Sequence, residues 1–280
     1  MTLADELLEL AIREDIGDGD HSSLCCIPNE AQGAARLLIK EAGVLAGVSV
    51  AVKVFHRYDS DLEIEVFLSD GDEVKYGDIG LIVKGKKQSI LSAERVVLNL
   101  MQRMSGIATN TARIMKLVEG TDVKVLDTRK TTPGLRWYEK EAVKIGGGTN
   151  HRFGLYDMIM LKDNHIDYAG GIENAISKAK AYLKEKGKSL PIEVETRNID
   201  EVNQVLTHGP VDRIMLDNFT PDQIREALKV IDGQCQTEAS GGINESTVRS
   251  YAETGVDYLS MGALTHSVKS LDISLKAIEL

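Results

Sequence analysis

From about residue 120 onward, short apolar runs alternate with amphipathic helical stretches, and this alternation constrains the fold more than any other feature. Residues 123–126, 158–161, 192–194, 213–216, 235–238 and 258–261 read as strands. Helices are predicted over 172–186, 199–206, 221–231 and 245–254. From the second strand on, the spacing is roughly 20 to 30 residues, the length of a βα unit. Right-handed crossovers wind such units into a parallel barrel. Only six strands are clear, so the expectation is α/β: an incomplete (β/α) barrel.

The first 90 residues follow another pattern. Leu3, Leu7, Leu8 and Ala11 mark an amphipathic helix that ends before the turn Gly17-Asp18-Gly19-Asp20. Strands are predicted over 35–40, 62–68 and 80–83, with a helix over 48–55. This reads as an N-terminal α+β sandwich domain. Its Gly71-Asp72-Glu73-Val74 hairpin resembles lipoyl-type domains without their Asp-Lys-Ala carrier site, so it is taken as structural. Residues 92–120 form one long helical stretch, with a break or kink expected near Gly106. The expected division is 1–108 for the α+β domain and 109–269 for the barrel. A last helix over 270–280 would return to the first domain.

The chain has a formal net charge of -10, which disfavours nucleic acid and anionic lipid as partners. The N-terminus has neither a basic start nor an apolar run, and no stretch is apolar and long enough to cross a membrane. The three cysteines, Cys25, Cys26 and Cys235, lack the spacing of a zinc or disulfide framework and suit a reducing cytoplasm.

In a parallel barrel, chemistry sits just past the C-terminal strand ends. Here those ends read Asp127-Thr128-Arg129-Lys130, Lys162-Asp163-Asn164-His165, Glu195, Asp217-Asn218, Glu238-Ala239-Ser240-Gly241-Gly242 and Ser260-Met261-Gly262. The first two lie in a basic island of Arg129, Lys130, Arg136, Lys144, His151, Arg152 and Lys162. Arginine forks pair with carboxylate or phosphate oxygens, so a ligand with several negative charges is expected. Gly146-Gly147-Gly148 would let backbone approach that ligand. Glu195 and Asp217 could hold magnesium, partly through substrate oxygens, or stabilise positive charge on a sugar. The two final glycine loops suit phosphate, bound by backbone N–H groups and a helix start. Histidines other than His151 receive no catalytic role.

The same segments carry a family likeness. Arg103-Met104-Ser105-Gly106-Ile107-Ala108-Thr109, the run from Asp127 through Thr131-Thr132-Pro133-Gly134-Leu135-Arg136, Asn150-His151-Arg152, Leu161 to His165, Glu193-Val194-Glu195, Met215 to Asn218, Glu238 to Ile243 and Ser260-Met261-Gly262 resemble, in order, the motifs of quinolinate phosphoribosyltransferases. Residues 15–23 match the family's start only loosely.

The resemblance implies a homodimer that transfers phosphoribosyl from phosphoribosyl pyrophosphate to quinolinate with loss of carbon dioxide. Nicotinate mononucleotide and pyrophosphate would be the products, and Mg2+ would be required. By the same resemblance, Arg129, His151, Arg152 and Lys162, beside Thr128, would hold the quinolinate carboxylates, and Arg103 would reach the partner's site. Lys130, Glu195 and Asp217 would handle the donor and its metal, and Ser240, Gly241, Gly242, Ser260, Met261 and Gly262 the ribose 5-phosphate. The alternatives are a paralogue of the same fold from molybdate-transport operons, a non-catalytic nucleotide-sensing barrel, and a magnesium-dependent phosphosugar lyase.

Overall fold

The computed structural model describes residues 2–279. The chain divides into two compact units. Residues 1–112, 131–147 and 264–280 form the first, and residues 113–130 and 148–263 the second. Residues 109–112, 131–147 and 264–269, which the sequence-based division gave to the barrel, belong with the first unit.

In the first unit, α1 (Leu3–Ile16) is capped by Thr2 in a reciprocal pair with Asp5, and α2 (His21–Cys26) by Asp20, which accepts from the Ser23 amide. The loosely matching segment is thus a helix cap. The strands β1 (Gln32–Ile39), β2 (Gly43–Val44), β3 (Glu63–Val66), β4 (Glu73–Val74) and β5 (Ile79–Lys86) surround α3 (Val48–Tyr58) in the chain order. The helix α4 (Lys87–Leu117) is unbroken over 31 residues, so the expected kink at Gly106 is absent. Glycine is needed there because a Cβ would fall 2.3 Å from the Lys269 carbonyl oxygen. The helix α5 (Arg136–Ile145) completes this part of the unit.

The second unit holds the strands β6 (Lys124–Leu126), β7 (Ile159–Leu161), β8 (Ile192–Thr196), β9 (Arg213–Asp217), β10 (Gln236–Ser240) and β11 (Tyr258–Ser260). Between and after them come α6 (Asp163–Ala169), α7 (Ile172–Lys186), α8 (Ile199–Thr207), α9 (Pro221–Ile231), α10 (Val248–Ala252) and α11 (Ala263–His266). All strand pairs are parallel, in the order β6-β11-β10-β9-β8-β7. The free side of β6 carries only an isolated bridge from Leu126 to Thr149, so among the described residues β6 and β7 do not pair. The six expected strands are all present, and the barrel is incomplete.

The chain ends in a strand, β12 (Ile273–Ile278), where a helix was expected. It pairs antiparallel with β1, giving the first unit a four-stranded sheet in the order β12-β1-β5-β3. Leu271, Ile273 and Leu275 are buried at alternate positions, which fits a pleated strand and not a helical stripe. Leu280 lies outside the described residues. No helix among the described residues is long and apolar enough to cross a membrane.

Candidate active site

The barrel strands expose their alternation directly. Val194, Ile214, Leu216, Ala239 and Leu259 are fully buried. The residues between them, on the opposite face, are Glu193 and Glu195 on β8, Arg213, Met215 and Asp217 on β9, Gln236, Glu238 and Ser240 on β10, and Tyr258 and Ser260 on β11. A parallel strand covered on both faces normally reads as a continuous apolar run. Here one face is polar and carries two layers of charge.

The upper layer lies at the C-terminal strand ends. Lys162 Nζ is 3.2 Å from Glu195 Oε2, and the Asp163 amide donates to the same carboxylate. Burial pushes the Asp217 carboxyl up, the Glu195 charge adds to that, and Lys162 offsets part of it. Two carboxylates thus share the rim with one lysine, which pairs with Glu195. Such an oxygen-rich, excess-negative pair fits a magnesium ion held partly by substrate. The Arg152 guanidinium is half-buried; burial and then the Arg129 charge hold it below its usual range. Its Nη1 donates to the Met158 carbonyl at 3.3 Å. Thr128 Oγ1 accepts from the Lys130 amide, closing the turn that follows β6.

Gly241 follows β10 with φ 97°, and a Cβ there would lie 2.2 Å from Asn218 Oδ1. Only glycine lets this loop pass the Asp217-Asn218 strand end. Gly242 has φ 63° and open space where a Cβ would stand, so its backbone can meet a ligand.

The lower layer is buried. The His151 Nε2 atom lies 3.2 Å from the Glu193 carboxylate and 3.3 Å from that of Glu238. Glu238 Oε2 accepts from Arg213 Nη1 at 2.7 Å, and the Arg213 guanidinium stacks 3.9 Å above the Tyr258 ring. Glu193 and Glu238 are wholly inaccessible. Burial alone would pull His151 down, but the two carboxylates overcome it and push its pKa up to about 9. The Glu238 carboxyl is raised by burial but held low overall by His151, with the Ser260 hydroxyl and Arg213 assisting. Burial raises Glu193. The Arg152 amide, 2.6 Å from His151 Nδ1, calls for an unprotonated nitrogen there, whereas the carboxylates favour the cation. Both demands keep a proton on Nε2, between the carboxylates.

Several expected roles change with this geometry. The His151 ring is turned into the barrel with both nitrogens engaged, so it does not reach outward as a carboxylate ligand. The Met261 amide donates to the Leu126 carbonyl at 2.9 Å and its side chain is buried, so neither can hold phosphate. The Ser260 hydroxyl is also buried, against Glu238, without a well-formed hydrogen bond. The helix expected at 245–254 is only the five residues of α10, so phosphate would rest on loop amides and not on a helix start.

The basic island is smaller than its sequence suggests. Arg136 and Lys144 lie in the first unit, where Arg136 donates to Thr131 and Lys144 pairs with Glu141. Gly146 does not serve a ligand: a Cβ there would sit 2.4 Å from the Ala108 carbonyl oxygen. Arg103 also lies in the first unit. Its guanidinium donates to the buried Glu139 carboxylate at 2.9 Å and to the Thr265 carbonyl at 2.6 Å. The other Glu139 oxygen accepts from the Thr132 amide.

Glu139, Glu193, Glu238 and Arg213 were missed as site residues. For the last three the signal was present, as the polar period of two inside predicted parallel strands. A cavity of about 630 Å3 opens at the N-terminal strand ends, lined by Met158, Glu193, Asp212, Arg213, Gln236 and Asp257. Cavities are the usual first guess for a ligand site. This one lies at the end of the barrel away from the strand-end cations, and barrel chemistry belongs to the other end.

Comparison with known proteins bears on the family. Residues 20–105 match the description "Quinolinate phosphoribosyl transferase, N-terminal domain", and residues 107–276 match the C-terminal domain of the same family. A chloroplastic nicotinate-nucleotide pyrophosphorylase [carboxylating] of Oryza sativa subsp. japonica is 47% identical over 96% of this chain and 76% of its own length. A probable enzyme of the same name from Bacillus subtilis (strain 168) is 43% identical, over 96% of this chain and 92% of its own. The crystal structure of NadC from Streptococcus pyogenes superposes with a TM-score of 0.93 at 42% identity, covering 99% of this chain and 96% of that one. The nicotinate-nucleotide pyrophosphorylase from Francisella tularensis gives 0.91 at 37% identity, covering 99% and 96%. The chain belongs to the quinolinate phosphoribosyltransferase family.

Proposed function

We propose that the protein transfers phosphoribosyl from phosphoribosyl pyrophosphate to quinolinate with decarboxylation, yielding nicotinate mononucleotide, pyrophosphate and carbon dioxide. The observation that carries this reading is the gathering, at the C-terminal strand ends, of the Lys162–Glu195 pair and Asp217, with Arg152 close enough to Arg129 to feel its charge. The two arginines suit an acceptor with two carboxylates. Glu195 and Asp217 suit a sugar that becomes cationic as it reacts.

Arg129, Arg152 and Lys162 receive the quinolinate carboxylates and hold the ring nitrogen against the anomeric carbon. As the bond to pyrophosphate lengthens, positive charge grows on the ribose, and Glu195 and Asp217 stabilise it. Lys130 meets the leaving pyrophosphate. The backbone of Gly241, Gly242 and Gly262, beside Ser240, holds the 5-phosphate. The new bond makes the ring nitrogen positive. The carbon–carbon bond to the adjacent carboxylate then breaks, its electron pair is stabilised by that charge, and a proton replaces the carbon dioxide lost. Glu195 and Asp217 would hold Mg2+ together with donor oxygens, and the ion would neutralise the leaving pyrophosphate.

We also propose a homodimer in which Arg103 completes the partner's site. Glu139 pins one edge of its guanidinium, while its Nη1 has only a 3.4 Å contact to the Val268 carbonyl oxygen. The reading of a cytoplasmic enzyme rests on the free thiols of Cys25, Cys26 and Cys235. Its plant relatives are named as chloroplastic or mitochondrial.

The test is product formation with and without magnesium. The reading expects nicotinate mononucleotide and carbon dioxide from quinolinate, loss of turnover in chelator, and recovery on adding Mg2+. Turnover undiminished by chelator would remove the metal from the scheme. Gel filtration coupled to light scattering tests the dimer.

A further inference from the structure

Residues 150–158, which include Arg152, have no strand ladder to hold them; Leu126–Thr149 is the last backbone bridge before β7. Side chains must fix this segment instead. Asp157 accepts from the Phe153 and Gly154 amides and closes its far end. At the near end, the Arg152 Nη1 donates to the Met158 carbonyl at 3.3 Å, and several contacts converge on His151. Its own amide donates to the buried Asp127 carboxylate at 2.8 Å, its Nδ1 faces the Arg152 amide, and its Nε2 faces Glu193 and Glu238.

We propose that Glu193 and Glu238 are positioning residues for the acceptor: they seat the His151 ring inside the barrel, and His151 sets the backbone from which Arg152 projects. The inference rests on the reading above, in which Arg152 receives a quinolinate carboxylate. Glu238 is itself fixed by Arg213, whose guanidinium is held over Tyr258 and donates to Gln236. The chain of contacts therefore runs from β9 and β10 through β8 to the loop, at right angles to the strands. Arg213 answers Glu238, and the His151 Nε2 lies between Glu238 and Glu193, so both carboxylates already have a partner. The three ligand-type side chains lie close enough together to suggest a metal trio. Arg213 already occupies Glu238, however, and a divalent ion would upset these pairings. Buried ion sets of this kind are poor sources of stability compared with apolar packing. A polar barrel floor directly beneath a substrate pocket is better explained by the position it imposes.

The test is a double-mutant cycle with Glu193→Gln, His151→Gln and the pair, measured as KM for quinolinate, KM for phosphoribosyl pyrophosphate, and Tm. The expected result is a rise of about tenfold in quinolinate KM for Glu193→Gln with the donor KM held within about twofold, and no further rise when it is added to His151→Gln. A merely structural role would raise both KM values together, or give additive effects, and either result overturns the proposal. Should Glu193→Gln not accumulate as folded protein, Glu238→Gln enters the same cycle under the same criterion. A wild-type protein that does not consume quinolinate removes the functional reading and this inference with it. An active wild type with an additive cycle removes only this inference.

Discussion

Two layers of the same barrel use the same residue types in opposite ways. On β8, Glu193 and Glu195 are two residues apart and share a face. Glu193 is sealed and paired with His151, whereas Glu195 sits at the rim against Lys162 and the like charge of Asp217. On β9, Arg213 below is locked to Glu238, while Asp217 above has its carboxyl raised. The lower layer gives both of its carboxylates a cationic partner. The upper layer does not, and that imbalance is what a charged substrate and its metal would resolve. The difference teaches that a buried carboxylate is not in itself a sign of chemistry; what matters is whether its charge is already answered.

Substitution at matched positions tests this contrast. Glu195→Gln should leave the fold intact and lower kcat on the order of a hundredfold or more, as expected for loss of a group facing developing charge. Full activity in that variant would end the distinction between the layers. Glu193→Gln should instead destabilise the protein by about 3 kcal/mol, because it breaks a buried ion pair and leaves a partner uncompensated. A denaturant titration showing Glu195→Gln to be the less stable of the two would reverse the assignment.

Arg129→Ala bears on the acceptor side of the upper layer. It should weaken quinolinate binding by about 2 kcal/mol while changing donor binding much less, since it removes a charge-assisted pairing with one substrate. Equal losses for both substrates would remove its assigned role. The smallest effect is the pH dependence of the lower layer. His151 has its pKa raised, to about 9, above the ordinary value near 6.5. Its cation therefore contributes stability fully below pH ~6.5, and the contribution is lost as pH rises through about 9. Thermal melts of wild type minus His151→Gln should show the difference shrinking from pH 6.5 to 9.5. A difference that grows over that window would mean that the ring is held neutral.

Much of the second unit was legible in the chain because its signals are local. Each strand is bounded by polar or glycine residues, and the βα spacing repeats, so all six strands and their functional ends follow from the pattern. The first unit was harder. Residues 270–280 carry good helix formers, yet Ile273–Ile278 is a strand because β1, more than 230 residues earlier in the chain, offers a pairing edge at Ala34–Ile39. Gly106 looked like a helix break because its reason, the passing Lys269 carbonyl, is also distant in sequence. At the site, Arg129, Lys130, Lys162, Glu195 and Asp217 were visible as strand-end charges. The lower layer was hidden by the same rule that revealed the upper one. Strand-end reasoning draws the eye to Glu195 and Asp217 and away from Glu193 and Arg213, whose partners come from other segments. The direction of the His151 ring depends on carboxylates 42 and 87 residues further along the chain.

The most direct measurement is a parallel assay of quinolinate and nicotinate as acceptors, with phosphoribosyl pyrophosphate and Mg2+, following carbon dioxide and nicotinate mononucleotide. The account predicts turnover of quinolinate with equal amounts of both products and little reaction with nicotinate, which has only one carboxylate for the Arg129–Arg152 pair. Equal use of nicotinate, or donor binding without any turnover of quinolinate, would contradict it.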